Sequence, residues 1–356
     1  MDNYRNRKES KRKAIIVIAA IVLALLAVGL VMFLLERFTE IDTQFGDTGD
    51  WGDDGDQVEL TFNDTDYVSD DRIEAYLIAG TDAGGVDLGE TYRGQLADFV
   101  TVLLIDDTTE KYAFYQLDRN TMTNVPIISE NGIQDFAYEQ LCIAHWYGHD
   151  EDERNQNLVN ATTMALGGLE LDGYYVLNMA DVGAVNDAIG GVTIDIDTDM
   201  TNLDPAFVEG ATVHLDGRQA ENFLRARMTV GEGTNAERMA RHRQYMQQAY
   251  SMVIGQLREN PDYINDLYEQ LDDKIESDGT PKRISTIAER LTKYDNAGIL
   301  EFEGETKLGD AIGEGVEHEE FYMKEGSVLA NLRKVMNIRE YTEEDDEDED
   351  YEEDDE

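Results

Sequence analysis

Apolar residues follow two kinds of pattern along the chain. Between Ala14 and Leu35 the run AIIVIAAIVLALLAVGLVMFLL holds 22 residues without a charge. As a helix it rises ~33 Å, enough for a hydrocarbon core of ~30 Å. It lacks a small-residue cleavage site at its end and continues into Glu36 and Arg37. It therefore predicts an uncleaved anchor in place of a removed signal peptide. From Arg72 the apolar runs become short, β-branched and bounded by Gly and Asp. AYLIAG (75–80), FVTVLLID (99–106) and YAFYQL (112–117) predict buried strands, as do YYVLNM (174–179) and the alternating VTIDI (192–196). Helical spacing marks 157–170, 181–191 with its closing Gly pair, 217–227 and 236–260. Further helices and two weaker strands, near Ile299–Phe302 and Glu320–Met323, fill 261–340. Strands alternating with helices predict an α/β fold, a three-layer sandwich with a central mixed sheet, preceded by one N-terminal transmembrane helix.

Charge sets the orientation and the boundaries. Residues 1–13 form a basic segment with Arg5, Arg7, Lys8, Lys11, Arg12 and Lys13 against two acids. By the positive-inside rule this end stays in the cytoplasm and everything after Arg37 lies outside, giving a single-pass cell-membrane protein. Residues 36–71 read as an acidic, Gly/Asp-rich linker, whose Gly-Asp repeats do not fit the twelve-residue calcium loop with its closing Glu. Residues 72–340 form the folded domain. Residues 341–356 predict a disordered acidic tail, since 343–356 hold thirteen acids and no base. Over the 356 residues, 77 Asp and Glu stand against 29 Lys and Arg, for a net charge of −48. Such a body repels a phosphate backbone, which argues against a nucleic-acid partner. The single cysteine, Cys142, excludes an internal disulfide framework and a multi-thiolate zinc cluster.

Against that background one run is out of character. Arg225, Arg227, Arg238, Arg241 and Arg243 fall within nineteen residues, with Arg238 and Arg241 spaced i, i+3 on one helix face. Clustered guanidinium forks suit a polyphosphate, which they bind bidentately while staying charged. Arginines that only pair with surplus carboxylates are the equally weighted alternative. A second group comes from strand ends: Asp82 after the first strand, Asp98 opening the second, and Arg119 ending the third. Adjacent strand ends bring such residues to one rim, where α/β sheets carry their sites. Two aspartates and an arginine there suit Mg²⁺ (or Mn²⁺) holding a pyrophosphate, although a lone Asp at a strand end is more often a turn or cap. His145 and His149 in HWYGH lack the glutamate of a zinc helix, and no GxSxG, Walker loop or GxGxxG is present.

In this order, LIAGTD, ADFVTVLLID, YQLDRNT, GYYVLNMADVGAVNDAIGGVTIDI, VHLDGRQAENFLRAR and ERMARHRQ resemble the LytR-CpsA-Psr family of cell-envelope phosphotransferases. The resemblance spans roughly Arg72 to Tyr250 and, more weakly, reaches Asn337. It implies a metal-dependent enzyme that moves a phosphoglycosyl polymer (teichoic acid, capsule or another wall polysaccharide) from a polyprenyl-pyrophosphate lipid to peptidoglycan. Carried over by position, Asp82 and Asp98 would hold the metal, and Asp98 could also take the acceptor's proton. Arg119, Arg225, Arg227, Arg238 and Arg241 would bind the pyrophosphate, with Asp98, Arg119, Arg225 and Arg227 forming the catalytic set. The lipid needs an apolar tunnel, and YYVLNM, VGAVNDAIGGV and MQQAYSMVIGQL serve a tunnel or an ordinary core equally well.

Several positions depart from the family pattern. Asn120 stands where an aspartate follows the arginine, Leu117-Asp118 replaces Ile-Pro, and Ala97 replaces a serine. The stretch between Arg227 and Arg238 offers Glu232 and Asn235 where an aspartate is usual. These departures bear on acceptor activation and leave open a protein that binds lipid-pyrophosphate polymer or wall without transferring it. Hydrolysis of the same linkage is a further variant. The thirteen-residue cytoplasmic segment carries no DNA-binding motif, which argues against direct transcriptional control.

Overall fold

The computed structural model describes residues 57–82, 95–129, 132–227, 229–311, 315 and 317–342, all within one unit that begins at Gln57. In chain order it opens with β1 (Val58–Phe62), β2 (Thr65–Ser69), β3 (Ile73–Thr81), β4 (Ala97–Asp106) and β5 (Lys111–Leu117). A hairpin of β6 (Met122–Ser129) and β7 (Gly132–Gln140), a 3-10 turn (Leu141–Trp146) and α1 (Glu151–Ala165) follow. Next come β8 (Gly173–Asn178), α2 (Val182–Ala188), β9 (Thr193–Asp195), β10 (Thr212–His214), α3 (Gly217–Arg225) and α4 (Asn235–Glu259). The chain continues through α5 (Tyr263–Leu271), β11 (Ile275–Ser277), α6 (Pro281–Lys293) and β12 (Asp295–Glu301). It closes with β13 (Gly304–Gly309), β14 (His318–Met323), α7 (Glu325–Leu332) and β15 (Arg339–Glu340).

The central sheet has the order β11-β8-β3-β4-β5-β12. It is mixed: β3 pairs antiparallel with β4 and parallel with β8, while β5 pairs antiparallel with β4 and parallel with β12. Its strands are apolar at both parities because both faces are covered. Leu77, Val102, Leu104, Ala113 and Tyr115 face one core with Leu158 of α1 and Leu332 of α7. Tyr76, Leu103, Ile105, Tyr112 and Phe114 face the other, with Met246 and Tyr250 of α4 and Ile287 of α6.

Two boundaries differ from the sequence reading. The Gly/Asp-rich linker expected through residue 71 stops earlier, because β1 and β2 form a hairpin that β15 joins. The alternation Val58-Leu60-Phe62 sends Leu60 and Phe62 into the main core, and Asn63 and Asp64 take positive φ at the turn. Asp-rich composition hides that alternation, although Asn and Asp are residues that tolerate such a turn. The helix expected at 157–170 begins at Glu151, capped by Asp150, and ends before Gly167 and Gly168. The β6–β7 hairpin, directly after Arg119, escapes prediction because β7 is largely exposed and its apolar residues Ile133 and Phe136 fall out of strand alternation among polar ones. Among the described residues no helix is long and apolar enough to cross a membrane. The run Ala14–Leu35, the basic segment 1–13 and the acids 343–356 lie outside the described residues.

Candidate functional site at the sheet rim

Strand pairing alone builds the rim. Thr81 at the end of β3 pairs with Ala97 at the start of β4, and Val100 pairs with Leu117 at the end of β5. Asp82, Asp98 and Arg119 therefore emerge on the same edge of the sheet, as the strand ends predict. The approach is tight: a Cβ on Gly80 would lie 2.8 Å from Met179 Sδ and 3.3 Å from Phe99 Cβ.

Asp98 is the centre of the charge network. One carboxylate oxygen receives Arg119, and the other faces Arg238 Nη1 at 3.2 Å. Both guanidiniums are largely buried, with side-chain exposures of 12% and 5%. Arg119 is set at a corner, since Asp118 Oδ1 accepts from the Asn120 backbone N–H at 2.8 Å. Its Nη2 also donates to Cys142 Sγ at 2.9 Å, and the Cys142 N–H bonds back to the Arg119 carbonyl at 2.9 Å. Burial pushes the Cys142 thiol upward, so it stays a neutral acceptor. Burial also opposes the charge on Arg238, offset in part by Asp98.

A second layer orients Arg238. Its Nη2 donates to Asn235 Oδ1 at 2.8 Å, while Asn235 Nδ2 donates to Asp118 Oδ1, also at 2.8 Å. An ionised carboxylate only accepts and a guanidinium only donates, so the two neighbours fix which way the Asn235 amide points. Asp118 is half-buried, and desolvation raises its pKa.

Arg225 and Arg227 flank this centre. Arg225, at the end of α3, contacts Glu221 at 2.8 Å and Asp82 Oδ1 at 3.2 Å. Arg227 Nη2 meets Glu319 Oε2 at 3.0 Å. Glu319 arrives because the Phe321 N–H of β14 bonds to the Asn120 carbonyl at 2.8 Å, stitching that strand to the end of β5. Asn120 Nδ2 faces the same Glu319 oxygen at 3.4 Å. The Nε–H groups of Arg119, Arg227 and Arg238 are buried and have no hydrogen-bond partner among the described residues.

Arg241 does not join the group, despite its i, i+3 spacing from Arg238. Its guanidinium donates to the carbonyls of Phe223, at 3.3 Å, and Ala226. His242 Nε2 donates to the Leu224 carbonyl at 2.9 Å. A helix leaves its last carbonyls unpaired. Here α4 supplies donors to the end of α3, which fixes where Arg225 and Arg227 project. Burial, assisted by the Arg238 charge, pushes His242 down to about 4, so it is neutral near pH 7. His145 is turned into the interior, with ring contacts of 3.0 Å to the Gln95 carbonyl and 3.1 Å to Asn155 Oδ1, and His149 pairs with Glu153.

The described residues contain no group of three His, Cys, Asp or Glu side chains placed to hold a metal. The rim offers two hard carboxylates, Asp82 and Asp98, each also engaged by arginine. That donor set fits Mg²⁺, which takes one or two protein carboxylates and completes its shell with water and phosphate oxygens. Sequence reasoning does not reach Glu319 or the part played by Cys142, and it meets Asp118 and Asn235 only as departures from the family pattern, not as supports for the arginines. In so acidic a chain one more carboxylate carries no signal, and the weak strand near Glu320–Met323 is the only hint.

Below the rim, between the sheet and α4, α5 and α6, lies an apolar cavity of about 520 Å³. Ile78, Leu103 and Phe114 line it from the sheet, and Met246, Val253 and Leu257 from α4.

The model of the LytR_cpsA_psr family matches residues 48–335. Comparison with curated proteins finds no match. Among solved structures, the chain is similar to protein gbs0355 from Streptococcus agalactiae, with 17% identity and a TM-score of 0.57 over 74% of this chain and 86% of that one. TagV of B. subtilis gives 14% identity and a TM-score of 0.54, covering 74% and 96%. TagT bound to LI-WTA gives 13% identity and a TM-score of 0.53, covering 74% and 89%, and TagT too is a B. subtilis protein. At these identities the likeness is one of fold.

Proposed function

The chain belongs to the LytR_cpsA_psr family, and on that premise we propose that it is a membrane-anchored transferase of the cell envelope. It moves a phosphoglycosyl polymer from a polyprenyl-pyrophosphate lipid to a hydroxyl of peptidoglycan. The observation that carries this reading is the inner face of α4. It begins with Arg238 beside Asp98 and continues through Tyr245, Met246, Ala249, Tyr250, Val253 and Leu257 along the apolar cavity. One helix thus offers a charged head and an apolar groove in the order a polyprenyl pyrophosphate requires. TagT, a structural neighbour, is bound to LI-WTA, which favours an anionic wall polymer as the glycan.

In this reading Arg119, Arg225, Arg227 and Arg238 bind the pyrophosphate and stabilise charge that develops on the transferred phosphorus. Phosphoryl transfer depends chiefly on such positioning and neutralisation. Arg241 acts indirectly, by fixing the end of α3. Asp82 and Asp98 would hold Mg²⁺ (or Mn²⁺), which when bound would neutralise pyrophosphate oxygens. The apolar run Ala14–Leu35 and its basic flank support a single-pass anchor with the folded domain outside the cell.

The test incubates the full-length chain with a polyprenyl-pyrophosphate glycan, peptidoglycan fragments and Mg²⁺, and analyses the products by mass spectrometry. A phosphodiester-linked conjugate that vanishes with chelator or in Asp98→Ala is the expected result. Intact lipid that co-purifies with the protein and is never consumed would replace transfer with a binding role.

A further inference from the structure

Two asparagines at the rim each turn a side-chain N–H toward a carboxylate supplied from elsewhere in the chain. Asn235 points to Asp118 at 2.8 Å, and Asn120 points to Glu319 at 3.4 Å. Asp118 is half-buried and orients Asn120 and Asn235. Both carboxylates accept through one oxygen, but Glu319 also pairs with the Arg227 guanidinium. The Glu319 side chain is 31% exposed, and only Oε2 is engaged, by Arg227 and Asn120. Oε1 has no hydrogen-bond partner among the described residues.

Asp98 offers the opposite geometry. Both of its oxygens are held by guanidiniums, so protonating it would break a charge-assisted contact to Arg119 or Arg238. A carboxylate clamped at both oxygens is suited to holding charge in place. One clamped at a single oxygen, with the other open to solvent, is suited to accepting a proton. A general base also needs an orienting partner, and Arg227 with Asn120 supplies one on the far oxygen.

Resting on the transfer reading above, we propose that Glu319 is the general base for the acceptor hydroxyl. The hydroxyl oxygen forms a new bond to the phosphorus that carries the glycan. The bond from that phosphorus to the bridging oxygen breaks, and polyprenyl phosphate leaves with the electron pair. The hydroxyl proton passes to Glu319 Oε1. Asn120 is then the matching neutral neighbour, because an aspartate there would set a second carboxylate against Glu319. The carboxylate that the family pattern expects at position 120 has in effect moved across the contact to β14.

The experiment compares the unaltered full-length chain, Glu319→Gln, Asn120→Asp and the double variant. The probes are a polyprenyl-pyrophosphate glycan as donor and a short peptidoglycan oligosaccharide as acceptor. Transfer rate, donor retention, pH–rate profile and thermal midpoint are measured. Glu319→Gln is isosteric and keeps Arg227 and Asn120 within reach. It is expected to lower transfer about 10²-fold or more, the scale of a lost general base, with donor retention within twofold and the acid limb of the pH profile flattened. The double variant returns a carboxylate from position 120 and is expected to recover at least tenfold over Glu319→Gln. Transfer by Glu319→Gln within threefold of the unaltered chain overturns the proposal. So does a loss matched by equal loss of donor retention, which would make Glu319 only a support for Arg227. If the unaltered chain forms no conjugate, the transfer reading and this proposal fall together. If it transfers and Glu319→Gln matches it, only the proposal falls.

Discussion

The two faces of the central sheet start from the same kind of surface and end differently. On one face Leu77, Val102, Leu104 and Tyr115 meet α1 and α7 in a closed core. On the other, Ile78, Leu103 and Phe114 meet α4, α5 and α6 across a cavity of about 520 Å³. Residue type does not separate them, since both faces carry aliphatic and aromatic side chains from the same strands. What separates them is how closely the covering helices approach. Close approach yields cohesion, and standing off yields a groove for an apolar ligand. The charged rim sits above the second face because α4 serves both, with Arg238 in its first turn and the cavity wall farther along.

Large-to-small substitutions test this contrast most strongly. Leu104→Ala, on the closed face, is expected to destabilise by about 2–5 kcal/mol, because it opens a void among tightly packed neighbours. Leu103→Ala, one residue away on the cavity face, forfeits fewer contacts and is expected to cost at least ~1 kcal/mol less. Denaturant unfolding of both variants decides it, and equal losses would mean that the two faces are packed alike.

His242 gives a pH handle on the α3–α4 junction. Its folded pKa is depressed from an ordinary 6.5 to about 4 by burial and by Arg238. The stability it contributes is present above pH 6.5 and is lost as pH falls through 4, because the unfolded chain binds the proton first. By linkage the loss is about 3 kcal/mol. His242→Gln keeps a donor for Leu224 and should flatten that part of the stability–pH curve. A curve identical to that of the unaltered chain between pH 6.5 and 4 would remove the assignment.

At the rim, Arg119→Ala is expected to lower transfer at least ~10²-fold while leaving the cavity's hold on a polyprenyl chain within a fewfold. Loss of both together would show that rim and cavity are not separable. The smallest effect is expected from filling the groove. Ala249→Trp places a ring into the cavity and should weaken donor retention about tenfold, roughly 1.4 kcal/mol, with little change in stability. Undiminished retention would place the lipid elsewhere.

Much of this was legible in the residues, and the remainder was lost for identifiable reasons. Asp98 and Arg119 are readable because strand ends announce themselves: an apolar run stops at a polar residue, and neighbouring strands share an edge. Arg238 is readable as part of an arginine run that acidic surroundings do not explain. Arg241, two residues before Arg243 in that run, is indistinguishable from Arg238 by spacing, yet it bonds to the carbonyls that end α3. Helix periodicity gives the direction of a side chain but not what another helix presents there. Asn120 reads as a deficit until Glu319, 199 residues away, is found against it.

Legible in the residues alone are the four inner strands β8, β3, β4 and β5, the rim on which Asp82, Asp98 and Arg119 meet, and the arginine-rich start of α4. These follow from local periodicity and from pairing between strands close in the chain. Long-range contacts alone place β11 at the sheet edge, join β1, β2 and β15, turn Arg241 to a helix end, bring Glu319 to the rim and leave one sheet face hollow. Each depends on contacts between distant segments, where the gain is set by how surfaces fit and not by which residues carry them.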